Sequence, residues 1–272
     1  VYLLDTDVEE NSHVDRQIVY QLYDADKETR LKQEMILGIG GFRLLEALNI
    51  QPSIYHMNEG HSAMLYLEII RHEMQKRKIG FKDAISLSNH HVVFTNHTLV
   101  ASGNEIFSNE LFNFLLSRYA AELEVPISDI LALGTIQDSK SFSMSLMSLK
   151  LAGKINAVSE LHAKEAAKSW SDYRFDFVTN GIHIPSWDKI GHGDVLSAHR
   201  ENKKALLELI KKQTGLELGV YDLLIGWARR MVRYKRPLSM FGDIERLKTI
   251  ATEKTPIRIV MAGIAHQSDD DG

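Results

Sequence analysis

The stretch LLIGWARRMVRYKRP, residues 223–237, joins an apolar run to a dense group of cations. The run from Leu223 to Trp227 predicts a short buried strand. Five cations follow within eight residues: Arg229, Arg230, Arg233, Lys235 and Arg236. Like charges repel, and ligands of open α/β folds sit at the carboxyl ends of strands, so this group indicates a site for a multiply charged anion such as phosphate. A solvated basic helix start is the alternative interpretation.

Other short apolar runs share this pattern, each ending in small or polar residues. They are SIYHMN (53–58), VVFTNH (92–97), INAVS (155–159), FDFVTNG (175–181) and IRIVMAG (257–263). Helical periodicities separate most of them, at residues 28–48, 62–77, 108–122, 142–153, 160–169, 201–213 and 240–252. Strands that alternate with helices predict an α/β fold with a parallel, doubly wound sheet. We place a first domain at residues 1–215 and the start of a second at residues 220–272.

Composition excludes several classes of protein. The 272 residues carry a formal net charge of −4, which gives no electrostatic footprint for nucleic acid. There is no cysteine, so disulfides and thiolate metal sites are excluded. No apolar run approaches the ~20 residues of a membrane span, no signal peptide is visible, and we expect a cytoplasmic protein. The histidines lack metal-ligand spacing and no G-x-S-x-G elbow is present, so we expect neither a metal site nor a serine triad.

Three of the predicted strands end in polar side chains that suit a ligand. Glu59 and His61 follow the first, His97 the second, and Asn180 the run at 175–181. We expect Glu59 and His61 to face the crevice above the sheet. Each feature alone has an ordinary explanation: a capped helix start, a histidine satisfied by backbone, or an Asn-Gly turn. Together, amide, imidazole and carboxylate suit sugar hydroxyls, and the cations suit phosphate, which points to glycosyl transfer.

The stretch ETRLKQEMILGIGGFR, residues 28–43, contains closely spaced glycines. Gly38, Gly40 and Gly41 lie in a helical pattern with no strand before them, so a phosphate-binding loop lacks its required context. Close helix packing is the better account of these glycines.

Taken in chain order, a set of motifs resembles the α-glucan phosphorylases of the shorter bacterial and archaeal type. The motifs are HMNEGHSA (56–63), FTNHT (94–98), SELH (159–162), VTNGIHIPSW (178–187), ARRMVRYKRP (228–237) and MAGIAH (261–266), together with VYLLDTD, LYDAD, TRLKQE and LGIGG within residues 1–41. The resemblance implies a GT-B fold of two Rossmann-like domains with the active site between them. It implies phosphorolysis of terminal α-1,4-glucosyl units to glucose 1-phosphate, with retention. It also implies pyridoxal phosphate, whose phosphate group relays a proton.

The resemblance assigns roles residue by residue. It makes His97, which contacts the transferred glucose, a catalytic residue together with Arg229 and Arg230, which surround the substrate phosphate. Arg229 is Lys in some members. The substrate-binding residues that it implies are Asn180, Tyr234, Thr98, Glu59 and Asp24. Asp24 lies in what resembles the gate loop, and Lys235 matches the lysine paired with the cofactor phosphate.

Some positions depart from the family pattern. Leu99 and Ala101 stand where the short type usually has Pro, and Ile264 stands where it has a cation. The resemblance places the Schiff-base lysine beyond Gly272, so we expect this chain to be a central piece of a longer enzyme and inactive alone. The implied partners are α-1,4-glucan and phosphate, without nucleic acid or membrane. The oligomeric state stays open, a homo-oligomer included.

Two other functions remain open at this point. The cations could serve the diphosphate of a nucleotide-sugar donor in a GT-B glucosyltransferase. Alternatively, the chain could be a non-catalytic glucan-binding module. Such a module needs an exposed aromatic platform, which the scattered Trp170, Trp187 and Trp227 do not obviously form.

Overall fold

The computed structural model describes residues 1–22, 24–100, 104–137, 139–190, 193–265 and 272. The chain divides into two compact units, Val1–Asn180 and Gly181–Gly272. The sequence places the domain boundary later, near residues 215–220. How the two units correspond to the expected Rossmann-like domains stays a prediction.

The strands are β1 Tyr55–Asn58, β2 Val92–Asn96, β3 Ile106–Ser108, β4 Ser141–Ser143, β5 Lys154–Ala157, β6 Asp176–Phe177, β7 Leu223–Ala228 and β8 Ile257–Ala262. Six of these strands follow the apolar runs of the sequence closely, and β3 and β4 do not. Four of them form a parallel sheet in the first unit, in the order β1-β2-β5-β6. The predicted α/β fold with a parallel sheet is therefore confirmed. The antiparallel pair β3-β4 was not predicted.

The helices also match most of the predicted periodicities. They are α1 Lys27–Met35, α2 Gly41–Ala47, α3 Leu65–Arg77, α4 Phe81–Ser88, α5 Asn109–Glu122, α6 Ile127–Leu131, α7 Met144–Leu151, α8 Glu160–Ser169, α9 Ile184–Trp187, α10 Val195–Thr214 and α11 Ile244–Ile250. A π-helical turn at Ile36–Gly40 separates α1 from α2, where one helix over 28–48 was predicted. Helix α10 begins six residues before the predicted 201 because Asp194 caps it, accepting from the Ser197 N–H at 2.8 Å.

The parallel sheet has one apolar and one polar face, as the two-residue period of a strand requires. Met57 of β1 and Phe94 of β2 are partners in register, and both are fully buried in the core. On the other face, His56 Nε2 lies 2.6 Å from Thr95 Oγ1, which donates to Asn156 Oδ1 at 2.8 Å. This polar ladder crosses β1, β2 and β5 and ties the three strands together.

The glycine-rich segment packs closely at one of its three glycines. A Cβ on Gly38 would lie 2.8 Å from Leu65 N and 2.9 Å from Met64 Cβ, so only glycine lets this helix approach α3. The predicted close packing is confirmed there. It is wrong for Gly41, where a Cβ would meet nothing within 4 Å, and at Gly40 the nearest atom would be 3.8 Å away.

The second unit contains α9, α10, α11 and the parallel pair β7-β8. Its two strands run in register from Leu223 and Ile257 to Ala228 and Ala262. Among the described residues of this unit, Ile210 alone belongs to the buried apolar set. Unit two therefore has little core of its own. No helix in the described ranges is both long and apolar enough to cross a membrane.

Candidate functional site

The carboxyl ends of the parallel strands bring the predicted sugar-side residues of the first unit to one edge of the sheet. Glu59 follows β1, His97 follows β2, and Asn180 lies three residues beyond β6. The Asn180 N–H donates to Val158 O at 3.0 Å, which holds this segment beside the end of β5. We call Asn58, Glu59, Asn96, His97, His162 and Asn180 the sheet-edge site. Ligands of open parallel sheets bind at this edge.

His97 is held at two points by the turn after β1. Its main-chain N–H donates to Glu59 Oε1 at 2.8 Å, and its Nε2 lies 2.6 Å from Asn58 Oδ1. Burial lowers the pKa of His97, and the neighbouring His162 and His56 lower it further. These effects favour the neutral ring, and a neutral imidazole has one donor and one acceptor nitrogen.

Glu59 is buried, contrary to the expectation that its side chain faces an open crevice. The residue is 6% exposed, and burial raises the pKa of its carboxyl group, while hydrogen bonds from His97 and Thr98 oppose the rise. Its backbone has φ 66° and ψ 179°, a region that only glycine adopts freely. Holding another residue there costs about 1–3 kcal/mol, and such strain concentrates at functional sites. The Glu59 N–H donates to Thr95 O at 2.9 Å, which fixes the turn on β2.

His162 is a site residue that the sequence analysis used only as part of a motif. It occupies the first turn of α8, where its N–H donates to the Ser159 hydroxyl at 3.1 Å. The ring lies against the main chain of His97, yet both ring nitrogens are buried without a hydrogen bond of full geometry. Burial lowers the pKa of His162, which favours the neutral form of this ring as well. The SELH spacing was the available signal, because an N-cap serine fixes the third residue after it.

His61 does not join the sheet-edge site but pairs with the helix before the glycine-rich turn. Its Nδ1 lies 2.8 Å from Arg30 Nη2. Arg30 also reaches Glu34 Oε1 at 3.0 Å and Glu105 Oε1 at 3.4 Å. Arg30 and Glu34 are 5% and 1% exposed, and burial raises the pKa of Glu34 above its ordinary value. We call Arg30, Glu34, His61 and Glu105 the buried charge cluster.

Asp24 lies in the turn before α1, outside the helices and strands. A position in a loop is what the resemblance to the family's gate loop predicts. Its Oδ1 accepts from the Asp26 N–H at 2.9 Å, and Asp26 in turn caps α1 by accepting from the Thr29 N–H at 2.8 Å. The Thr29 hydrogen bonds lower the pKa of Asp26. Asp24 is thus positioned by a capping turn, and its substrate-binding role stays a prediction.

The cations of the second unit lie in the loop after β7, which we call the cation loop, residues 229–236. Within the described part of the chain, none of Arg229, Arg230, Arg233, Lys235 and Arg236 forms an ion pair with a carboxylate. Arginine and lysine side chains at this density attract a multiply charged anion. The predicted anion site therefore has its charges uncompensated by the described carboxylates.

The first part of the cation loop runs beside the segment after β8. Arg229 N donates to Ala262 O at 3.0 Å, and Met231 N donates to Ile264 O at 3.1 Å. A Cβ on Gly263 would lie 2.0 Å from Arg229 O, so the loop can approach only because residue 263 is glycine. Ile264, the departure from a family cation, is 83% exposed and adds no charge here. Ala101, another departure, lies outside the described residues.

Lys235 and Tyr234 are adjacent in a short 3₁₀ turn at Arg233–Lys235. Lys235 Nζ lies 4.7 Å from the Tyr234 ring centroid, a cation–π distance. Lys235 is partly buried and has no described carboxylate partner, so it is available to an anionic ligand. No group of three or more His, Asp or Glu side chains in the described ranges is placed to hold a metal ion.

Comparison with known proteins identifies the family of this chain. The family described as carbohydrate phosphorylase matches residues 27–191. Maltodextrin phosphorylase of Thermococcus litoralis is 32% identical over 100% of this chain, and glycogen phosphorylase of Aquifex aeolicus is 32% identical over 100%. Glycogen phosphorylase of Mycobacterium tuberculosis is 30% identical over 99%. The chain spans 38%, 47% and 39% of the length of these three relatives. With the family match covering more than half of its residues, the chain belongs to the carbohydrate phosphorylase family.

Proposed function

We propose that the complete protein carrying this chain phosphorolyses terminal α-1,4-glucosyl units of glucan to glucose 1-phosphate. The observation that carries the proposal is the cation loop, whose five cations have no described carboxylate partner and so can bind an anion. Family membership selects phosphate as that anion and a glucan as its co-substrate. The proposal includes the GT-B arrangement of two Rossmann-like domains and a cytoplasmic location, which stay predictions of the sequence.

In this proposal the first unit supplies groups for sugar hydroxyls. His97 and Asn180 lie at the same edge of the parallel sheet, and a neutral imidazole and an amide both exchange hydrogen bonds with hydroxyl groups. Thr98 follows His97 directly and is partly exposed. We assign His97, Asn180 and Thr98 to the transferred glucose. The substrate-binding roles predicted for Glu59 and Asp24 are untested by this geometry.

The second unit supplies the positive charge. We assign Arg229 and Arg230 to the substrate phosphate, and Tyr234 to the sugar. Arginine binds phosphate through two parallel hydrogen bonds and stays charged at all relevant pH values. Such fixed cations stabilise the negative charge of the attacking phosphate, and electrostatic stabilisation of this kind is commonly a large contribution to catalysis.

The family uses pyridoxal phosphate, and we propose that Lys235 holds its phosphate group. Lys235 is a partly buried residue between Tyr234 and Arg236, which suits an anionic partner. When bound, the cofactor supplies a phosphate that exchanges a proton with the substrate phosphate. The residues of this chain would orient that pair and balance its charge.

Kinetics of the complete protein with a glucan and varied phosphate test this function. Arg230→Ala removes a charge-assisted hydrogen bond of about 1.5–3 kcal/mol, so kcat/KM for phosphate should fall between about tenfold and more than a hundredfold. The matched control is Arg246→Ala, an exposed arginine of α11 in the same unit, which should behave as wild type. Equal, small effects of the two substitutions would show that the cation loop is only a solvated surface.

A further inference from the structure

Two consecutive residues of the sheet-edge site, Asn58 and Glu59, both hold His97. Asn58 ends β1 and Glu59 follows it, while His97 follows the neighbouring parallel strand β2. Glu59 Oε1 accepts from the His97 main-chain N–H at 2.8 Å. Asn58 Oδ1 lies 2.6 Å from His97 Nε2. One residue thus fixes the main chain of His97, and the other fixes its ring.

The Glu59 carboxylate is directed into the loop of His97 and away from solvent. Besides the His97 N–H, it faces Asn96 Nδ2 at 3.4 Å and the hydroxyl and N–H groups of Thr98. Glu59 itself is fixed by its N–H bond to Thr95 O and by Gly60, where a Cβ would lie 3.1 Å from Met144 Cβ. The carboxylate therefore acts on the loop that carries His97, from a turn that is itself tied to β2 and packed against Met144.

The Asn58 contact decides which nitrogen of His97 carries the proton. An amide oxygen can only accept, so His97 Nε2 must be the donor across the 2.6 Å contact. In a neutral ring the proton is then absent from Nδ1, which becomes an acceptor. An acceptor nitrogen binds a hydroxyl group, and it repels the oxygens of a phosphate.

We propose that Asn58 and Glu59 are positioning residues that fix His97 in its Nε2–H form, so that Nδ1 accepts a hydrogen bond from a substrate hydroxyl. The identity of that hydroxyl as one of glucose rests on the proposed function. The fixed tautomer does not, because it follows from contacts inside this chain. This assigns Glu59 a role different from direct sugar binding.

The first test measures the pKa of individual histidines in the complete protein, without substrate, from hydrogen exchange at the imidazole C2 position followed by mass spectrometry. Asn58→Asp places a carboxylate against Nε2, which favours the charged ring, and should raise the pKa of His97 by at least about one. Asn58→Leu offers no acceptor and should leave the pKa low. His90, at the opposite end of β2, serves as the internal control. An unchanged pKa of His97 in Asn58→Asp would overturn the proposal.

The second test separates the carboxylate of Glu59 from its backbone conformation. Glu59→Gly relieves the positive φ but removes the acceptor, whereas Glu59→Gln keeps an acceptor oxygen of the same reach. Amide exchange of the peptide containing His97 should accelerate in Glu59→Gly and be largely restored in Glu59→Gln. Wild-type protection in Glu59→Gly would show that backbone shape alone holds the loop.

Activity provides the link to substrate. In the complete protein, Asn58→Leu should lower kcat/KM for glucan about tenfold while leaving the KM for phosphate unchanged, because a positioned hydrogen bond of typical strength is lost. If His97 responds as predicted in both exchange experiments but no phosphorolysis exists, the positioning role stands and the proposed function fails. If phosphorolysis occurs but His97 does not respond as predicted in the exchange experiments, the proposed function stands and the positioning role fails.

Discussion

Arg30 and His61 are joined by a 2.8 Å contact between Nη2 and Nδ1, which ties the helix after the Asp24 turn to the turn after β1. An arginine only donates, so His61 Nδ1 is the acceptor of this contact. The same turn carries Glu59, so the buried charge cluster and the sheet-edge site share one short segment. The interior of the first unit thereby supports the residues assigned to the sugar.

The buried charge cluster should tolerate the loss of the Glu34 carboxylate but not the loss of the Arg30 guanidinium. Arg30→Met removes the cation nearest to the buried Glu34, while Glu105 keeps its contact with Lys27 Nζ at 3.2 Å, and it should lower the free energy of unfolding by about 3–5 kcal/mol. Glu34→Gln should cost less than about 1 kcal/mol, because burial already favours the uncharged form of Glu34. Urea unfolding of the complete protein, followed by fluorescence, measures both. Equal losses in the two variants would contradict this account.

His162→Phe should stabilise the protein, and more so in acid. Phenylalanine fills a similar volume and removes two buried nitrogens that lack good hydrogen bonds, so the free energy of unfolding should rise by about 1 kcal/mol. The pKa of His162 is lowered in the folded protein from 6.5, so the unfolded chain binds its proton first as pH falls. Wild type therefore loses stability below about pH 6.5, and the variant lacks this loss. Thermal melting at pH 8 and pH 5.5 compares the two proteins. A difference in melting temperature between variant and wild type that is smaller at pH 5.5 than at pH 8 would refute the lowered pKa of His162.

Two glycines of the same helical segment should respond in opposite directions to alanine. Gly38→Ala forces a Cβ against Leu65 N at 2.8 Å and should destabilise by about 1–3 kcal/mol. Gly41→Ala meets nothing within 4 Å and has helical φ and ψ, so it should stabilise by about 0.5–1 kcal/mol. The paired melting temperatures give the answer directly. Similar shifts for both would mean that the helix does not approach α3 as described.

Gly263→Ala should damage phosphate use through the cation loop. Its Cβ would lie 2.0 Å from Arg229 O, so the loop must move away from the end of β8. We expect kcat/KM for phosphate to fall at least about tenfold, since a misplaced cation loses a charge-assisted contact. Gly226→Ala within β7 is the control, because nothing lies within 4 Å of its Cβ. Retained phosphate kinetics in Gly263→Ala would show that Arg229 does not depend on this approach.

The strands of this chain could be predicted because their apolar runs end abruptly in polar residues, as at Val92–Asn96 and Leu223–Ala228. The pair β3-β4 was missed because three-residue strands give no measurable period. The π-helical turn at Ile36–Gly40 was missed because it leaves the helical pattern almost unchanged. These misses concern short features whose signal is local and weak.

For the candidate site, the sequence named the residues but could not predict their contacts, and their roles stay predictions. His97 and Asn180 were predicted at one edge because parallel strands share their carboxyl ends. The hold of Asn58 and Glu59 on His97 depends on β1 lying next to β2, and strand order has no periodic signature. Glu59 was expected in an open crevice because its positive φ, which turns the side chain inward, cannot be read from a glutamate.

The most direct test of the proposed function follows the phosphate itself. The complete protein, loaded with pyridoxal phosphate, is incubated with maltoheptaose and inorganic phosphate and monitored by phosphorus NMR. The account predicts that inorganic phosphate disappears as α-glucose 1-phosphate appears, one per glucosyl unit removed. Unchanged inorganic phosphate, together with glucosyl transfer from a nucleotide sugar under the same conditions, would contradict it.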